Sequence, residues 1–166
     1  MKKIKKLTLL GLFISVALVV SFIETLIPPI IPVPGIKIGL ANIITVLVLY
    51  KFGLKSAITV SILRVALANL LFGTVLTLAY SFAGALLSLT LMYTFKRLGL
   101  FSTVGVSIIG GVSHNTAQII VACILLQTSQ ISYYLPILFI SGTVTGTVIG
   151  ILGALLIKRL NFKERF

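Results

Sequence analysis

A small set of polar side chains interrupts the long apolar stretches of this sequence, and their types suit the binding of a small molecule. Arg64 stands within ILRVALAN, and His114 stands within GGVSHNTAQ, where Gln118 follows one helical turn later. Charged and amide side chains are costly inside apolar helices and usually face an interior or a cavity. The candidate substrate-binding residues are Lys37, Asn42, Arg64, Asn69, His114, Asn115 and Gln118. Arg64 would hold an anionic group, the amides would orient the ligand, and His114 would pair with the ligand or with the partner of Arg64.

The same residues give little support to catalysis. The sequence has no aspartate and only two glutamates, Glu24 and Glu164, so it offers neither a catalytic carboxylate pair nor an acidic cluster for Mg²⁺. It shows no P-loop, so it has no means of hydrolysing ATP itself. Cys123 is the single cysteine, which leaves no disulfide framework and no cysteine-based metal site. We therefore expect a protein that is not an enzyme and that uses no cofactor or metal.

The composition places these residues in a membrane protein. Hydrophobic residues make up 58% of the chain and charged residues 10%, and the mean hydropathy is +1.23. Soluble domains carry about 25% charged residues, so the outer surface of this chain is expected to face hydrocarbon. The net charge of +12 lies mostly between the apolar runs, which indicates membrane topology and contact with anionic lipid rather than nucleic-acid binding.

The apolar runs predict an all-α polytopic bundle with six transmembrane helices, forming a single domain over 1–166. A helix needs roughly 20 apolar residues to cross the hydrocarbon core of a bilayer. The predicted helices cover about 7–27, 38–52, 55–73, 76–97, 103–127 and 133–158. Segment 28–35 holds four of the five prolines and predicts an extended loop after the first helix, which would help to cap the site.

The basic residues predict the orientation of this bundle. With the N-terminus inside, twelve of the fourteen Lys and Arg residues fall in cytoplasmic segments, whereas the external loops hold only Lys37. This bias follows the positive-inside rule and predicts a multi-pass protein of the plasma membrane with both termini in the cytoplasm.

The predicted orientation also gives each polar residue a depth. The alternating helices place Glu24, Asn69 and Gln118 in the outer half and Arg64 and His114 near the middle, so we expect a pocket that opens outward. An alternative stays open, in which Arg64 only pairs with Glu24 and the amides join neighbouring helices.

Small residues at four-residue spacing predict places where helices approach closely. They are Gly142, Gly146 and Gly150 on the sixth helix, Gly84 with Ser88 on the fourth, and Gly11 with Ser15 and Ala17 with Ser21 on the first. Each stripe would serve packing within the bundle or the docking of a separate membrane partner.

Three strings carry a family resemblance. PGIKIGLANIITVLVLYKFG (34–53), LRVALANLLFGT (63–74) and GVSIIGGVSHNTAQIIVA (105–122) resemble the Gx transporter family, which is often labelled heptaprenyl diphosphate synthase component I. The similarity extends from about 8 to 158. The family in turn looks like the substrate-binding S components of energy-coupling factor (ECF) transporters, which are six-helix membrane proteins of similar length.

This resemblance implies a division of labour between subunits. The S component would capture a vitamin-like or other scarce small molecule outside the cell, and a transmembrane T subunit with two cytoplasmic ATPases would drive its release inside. S components often dock the T subunit through an Ala-x-x-x-Ala stripe on the first helix. Here Gly11/Ser15 and Ala17/Ser21 keep that spacing but not the residue identity.

Two other functions are compatible with the sequence. One is a non-catalytic membrane subunit of a prenyl diphosphate or quinone biosynthetic enzyme, whose partner would be a soluble synthase. The other is an autonomous proton-coupled carrier, for which a single intramembrane carboxylate makes a thin proton relay.

Overall fold

A computed structural model describes residues 2–26 and 39–160, and this part of the chain is helical throughout its regular structure. The helices are α1 (Lys2–Leu26), α2 (Asn42–Phe52), α3 (Leu54–Phe72), α4 (Val75–Leu98), α5 (Thr103–Leu125) and α6 (Leu135–Arg159), with a short 3₁₀ helix (Gln130–Tyr134) before α6. The expected all-α polytopic bundle is confirmed. Lys37 and the proline-rich segment 28–35 lie outside the described residues.

The start of α2 differs from the sequence-based expectation. Helical structure begins at Asn42 rather than at 38, because residues 39–41 form a turn that Gly39 enters with φ +73°. In this turn the Asn42 N–H donates to the Gly39 carbonyl at 2.8 Å. A positive φ favours glycine, which has no Cβ to clash with the backbone.

Most of the bundle surface is apolar, as a membrane protein requires. Five of the described helices are long and apolar enough to cross a bilayer, and α2 is a shorter apolar helix of 11 residues. Large hydrophobic side chains point outward along them, with Leu70 81% and Val75 84% exposed. Exposed apolar area on this scale is stable only against hydrocarbon or another protein.

The short helix α2 lies at the centre of the bundle. It packs against α1, α3 and α6. Six consecutive residues, from Ile44 to Leu49, are buried, so this helix has no face left for lipid. Around it gathers a hydrophobic core to which Phe13, Ala57 and Val106 belong.

The glycine stripe of α6 packs α6 against α5. A Cβ added at Gly142, Gly146 or Gly150 would lie 2.7–3.0 Å from backbone atoms of α5, and Gly111 of α5 makes the reciprocal approach to the Gly142 carbonyl. On α4, Gly84 and Ser88 likewise face α5. These two stripes therefore serve packing within the bundle.

The two ends of the bundle differ in character. The described basic residues outside Arg64 gather at what we call the basic end, which holds Lys51, Lys55, Lys96 and Arg97 together with the last turn of α6. At this end the Lys96 ammonium donates to the Leu49 carbonyl at 2.8 Å and lies 4.6 Å from the centre of the Tyr50 ring. The opposite end, called here the cavity end, holds most of the remaining buried polar side chains discussed below.

Candidate binding site

A polar cavity of about 70 Å³ lies within the half of the bundle toward the cavity end, and all six helices contribute to its wall. Its charged and polar lining residues are Ser21, Glu24, Thr25, Asn42, Arg64, Asn69, Ser81, His114, Asn115, Gln118 and Thr145. Gly39, in the turn before α2, also lines it. The cavity thus collects side chains from six separate segments, which points to binding rather than to a local packing defect.

Arg64 provides the fixed positive charge of the cavity. It stands eight residues, or about 12 Å, from the end of α3 at Phe72, and it is only 9% exposed. Its Nη2 donates to Asn42 Oδ1 at 3.2 Å, which joins α3 to the start of α2. Among the described residues its Nε–H has no acceptor. This Nε–H is sealed from solvent, and an unsatisfied buried donor costs about 1–3 kcal/mol.

Glu24 carries the opposite charge on the same cavity wall. Its Oε1 accepts a hydrogen bond from the Leu40 N–H, in the turn that leads into α2. The carboxylate also attracts the guanidinium of Arg64 electrostatically. Glu24 therefore holds the start of α2 and attracts Arg64 from the same cavity wall, and the ion-pair alternative stays open.

Helix α5 presents three polar side chains with different roles. The Asn115 Nδ2 donates to the Leu138 carbonyl of α6 at 3.0 Å, so this amide joins two helices while it lines the cavity. The imidazole of His114 occupies the space above Gly84, where an added Cβ would lie 2.8 Å from its Cε1. Gln118 is 9% exposed and lines the cavity, and within the described residues its amide makes no hydrogen bond.

Two further acceptors on the wall lack donors in the described part of the chain. They are Asn69 Oδ1 and Ser21 Oγ, both nearly excluded from solvent. The Nδ2 of Asn69 donates to the Val65 carbonyl at 2.8 Å, which fixes the amide against its own helix. Both atoms therefore lie within the wall and are sealed from the cavity.

The structure brings together the described members of the candidate set. Asn42, Arg64, Asn69, His114, Asn115 and Gln118 all line the same cavity, and Lys37 lies outside the described residues. Sequence reasoning missed Ser81 and Thr145 as wall residues. The Thr145 hydroxyl donates to the Ser141 carbonyl of its own helix, a common contact that does not indicate a binding site. Ser81 shares a helical face with Gly84 and Ser88, and this spacing could have identified Ser81 as a wall residue.

The two small-residue pairs of α1 have different environments. Ala17 is fully buried in the core and Ser21 lines the cavity, so neither side chain lies on the bundle surface, and their assignment to a docking surface stays a prediction. Gly11 and Ser15 are exposed, with open space beyond the Cα of Gly11. The two pairs are six residues apart, which places them on different faces of a helix with 3.6 residues per turn.

Comparison with known proteins gives one match. A family model described as heptaprenyl diphosphate synthase component I matches residues 13–156, which include all six helices at least in part. No curated protein and no solved structure is significantly similar to the chain.

Proposed function

The chain belongs to the family described as heptaprenyl diphosphate synthase component I, and we propose that it is the substrate-binding membrane component of an ECF-type uptake transporter. In this proposal the cavity captures a small anionic or vitamin-like molecule from outside the cell. The chain would lie in the plasma membrane with its basic end toward the cytoplasm, because basic segments are retained on the cytoplasmic side.

The observation that carries the proposal is the buried guanidinium of Arg64 on the wall of a polar cavity. Burying a charge within a membrane protein is costly, and such residues usually mark a ligand or ion path. Asn42 accepts one hydrogen bond from the guanidinium, and Glu24 attracts it electrostatically. Guanidinium groups bind carboxylate and phosphate oxygens strongly, through paired donors. An anionic ligand group next to Arg64 is the arrangement that this chemistry favours.

Uptake by this chain is proposed to depend on partners. A transmembrane T subunit would dock on the exposed Gly11/Ser15 surface of α1, where the open space above Gly11 permits close approach of another helix. Cytoplasmic ATPases bound to that subunit would supply the energy. Catalysis within the cavity has weak support, because Glu24 is the only carboxylate among its lining residues.

Native mass spectrometry of the gently purified protein tests whether the cavity holds a ligand. We expect a co-purified small molecule on the wild-type chain, lost in Arg64→Ala and retained in Lys55→Ala. Lys55 is the matched control, since it is an exposed cation on the same helix near the basic end. Loss of one or two charge-assisted hydrogen bonds, each about 1.5–3 kcal/mol, weakens binding by at least about tenfold. Equal occupancy of wild type and Arg64→Ala would show that Arg64 does not bind the ligand.

The family description favours a second candidate, a non-catalytic membrane subunit of prenyl diphosphate or quinone biosynthesis. The two candidates predict different partners, so co-purification from native membranes separates them. Recovery of a T subunit and ATPases, lost in Gly11→Leu, supports the transporter component. Recovery of a prenyl synthase without ATPases supports the biosynthetic subunit and contradicts uptake.

A further inference from the structure

Gln118 is a polar residue of the cavity wall to which the anion site gives no role. Its side chain is nine-tenths buried, yet its amide makes no hydrogen bond within the described residues. The amide is not sealed from solvent, and Gln118 lines the cavity, so a ligand in the cavity can reach it. An amide that faces the cavity can hydrogen-bond to a bound ligand.

The chemistry of a primary amide restricts what that ligand presents. The Gln118 side chain offers one acceptor oxygen and two donor hydrogens in a single plane. It pairs best with a planar edge that carries a donor and an acceptor side by side, as in the bidentate contact of glutamine with adenine. A lactam or a primary amide on a ring has such an edge.

Gln118 and Arg64 reach the cavity from different sides at a similar depth. Gln118 stands seven residues, about 10 Å, from the end of α5, and Arg64 stands about 12 Å from the end of α3. The two residues belong to different helices, α3 and α5, so a ligand that contacts both side chains carries its anionic group and its amide-like edge at different positions.

The cavity of about 70 Å³ is partly open, so a ligand can extend beyond it. We infer that the ligand is an anion that also carries a planar donor–acceptor edge, and that Gln118 recognises this edge. This inference rests on the proposed anion-binding function and specifies its substrate class.

Two ring acids of similar size test the inference by isothermal titration calorimetry on the full-length protein in detergent micelles. 6-Hydroxynicotinate, as its lactam tautomer, carries a carboxylate and a donor–acceptor edge, and benzoate carries the carboxylate alone. A bidentate contact discriminates by about 1–3 kcal/mol, so wild type is expected to prefer 6-hydroxynicotinate by roughly 5- to 150-fold. In Gln118→Leu the preference is expected to fall below about threefold with benzoate affinity nearly unchanged. Gln130→Leu makes the same chemical change at an exposed position outside the cavity, and it should keep the preference.

The possible outcomes separate this inference from the proposed function. Equal affinity of wild type for the two acids, or an equal loss of both acids in Gln118→Leu, overturns the role of Gln118 and leaves the anion site standing. If Arg64→Ala leaves the affinity for both acids unchanged, the anion site is wrong and this inference fails with it. The same conclusion follows if neither acid binds to wild type. The wild-type comparison decides the inference even where a variant fails to fold.

Discussion

Replacing Gly146 by alanine is expected to destabilise the bundle, because this glycine sits where α6 crosses α5. An added Cβ would lie 2.7 Å from the Cα of Ile108 and 2.9 Å from the carbonyl oxygen of Ser107. Both are backbone atoms, which cannot rotate away as a side chain does. Ordinary contact begins at 3.4 Å, so the two helices must separate locally by about 0.7 Å. That movement loosens the contacts of neighbouring residues along the whole crossing.

The size of the effect follows from comparison with Gly11, whose added Cβ would meet no atom within 4 Å. Alanine is favoured over glycine by about 1 kcal/mol within a helix, and this gain applies at both positions. Overpacking costs about 1–3 kcal/mol and applies at Gly146 alone. Gly146→Ala should therefore be about 1–3 kcal/mol less stable than Gly11→Ala.

Unfolding in mixed micelles, with SDS as denaturant and circular dichroism as the signal, measures both variants on one scale. The helix propensity of alanine contributes equally to both variants, so the difference between their unfolding free energies reports the contact between α5 and α6. Equal free energies of unfolding for the two variants would refute the close approach of these helices at Gly146.

Two other substitutions probe single side-chain contacts within the bundle. Gly84→Ala should displace the imidazole of His114, because the obstructing atoms belong to a side chain that can rotate, so we expect a loss of ligand affinity with little change in thermal stability. Adding His114→Ala should remove the small stability loss that remains. Additive stability losses in the double variant would argue against the contact. Lys96→Met removes the charge-assisted hydrogen bond to the Leu49 carbonyl and should cost about 1–2 kcal/mol of unfolding free energy, whereas the exposed Lys55→Met should change it by less than about 0.5 kcal/mol. Similar losses in the two lysine variants would mean that the bond at Leu49 contributes nothing.

The helices could be predicted from sequence because hydrocarbon imposes one strong requirement on them. Every backbone polar group inside a bilayer must be satisfied within the chain, so long apolar runs become helices almost without exception. The position of α2 could not be predicted in the same way. Its sequence is apolar, as lipid-facing helices also are, and only the packing of α1, α3 and α6 around it shows that it is buried on all sides.

The polar wall residues could be predicted for a related reason. Arg64, Asn69 and Gln118 are too costly to face lipid, so their identity alone places them toward an interior. Small residues carry no such constraint. Gly11/Ser15 and Ala17/Ser21 are both pairs of small residues at four-residue spacing. The first pair faces outward, whereas the second lies in the core and on the cavity wall. The difference depends on how α1 is rotated in the bundle, which the spacing of small residues does not determine.

The layer between the cavity and the basic end explains why this chain is expected to bind its ligand without moving it alone. Val46, Leu47, Val48 and Leu49 of α2 are each no more than 1% exposed and pack in the hydrophobic core. An anion that crossed these apolar side chains would lose its hydration at a cost of several kcal/mol. Passage therefore requires the packed helices around α2 to rearrange, and close packing resists gradual deformation. In the proposed transporter, cytoplasmic ATPases would supply the energy for this rearrangement, since the sequence shows no P-loop.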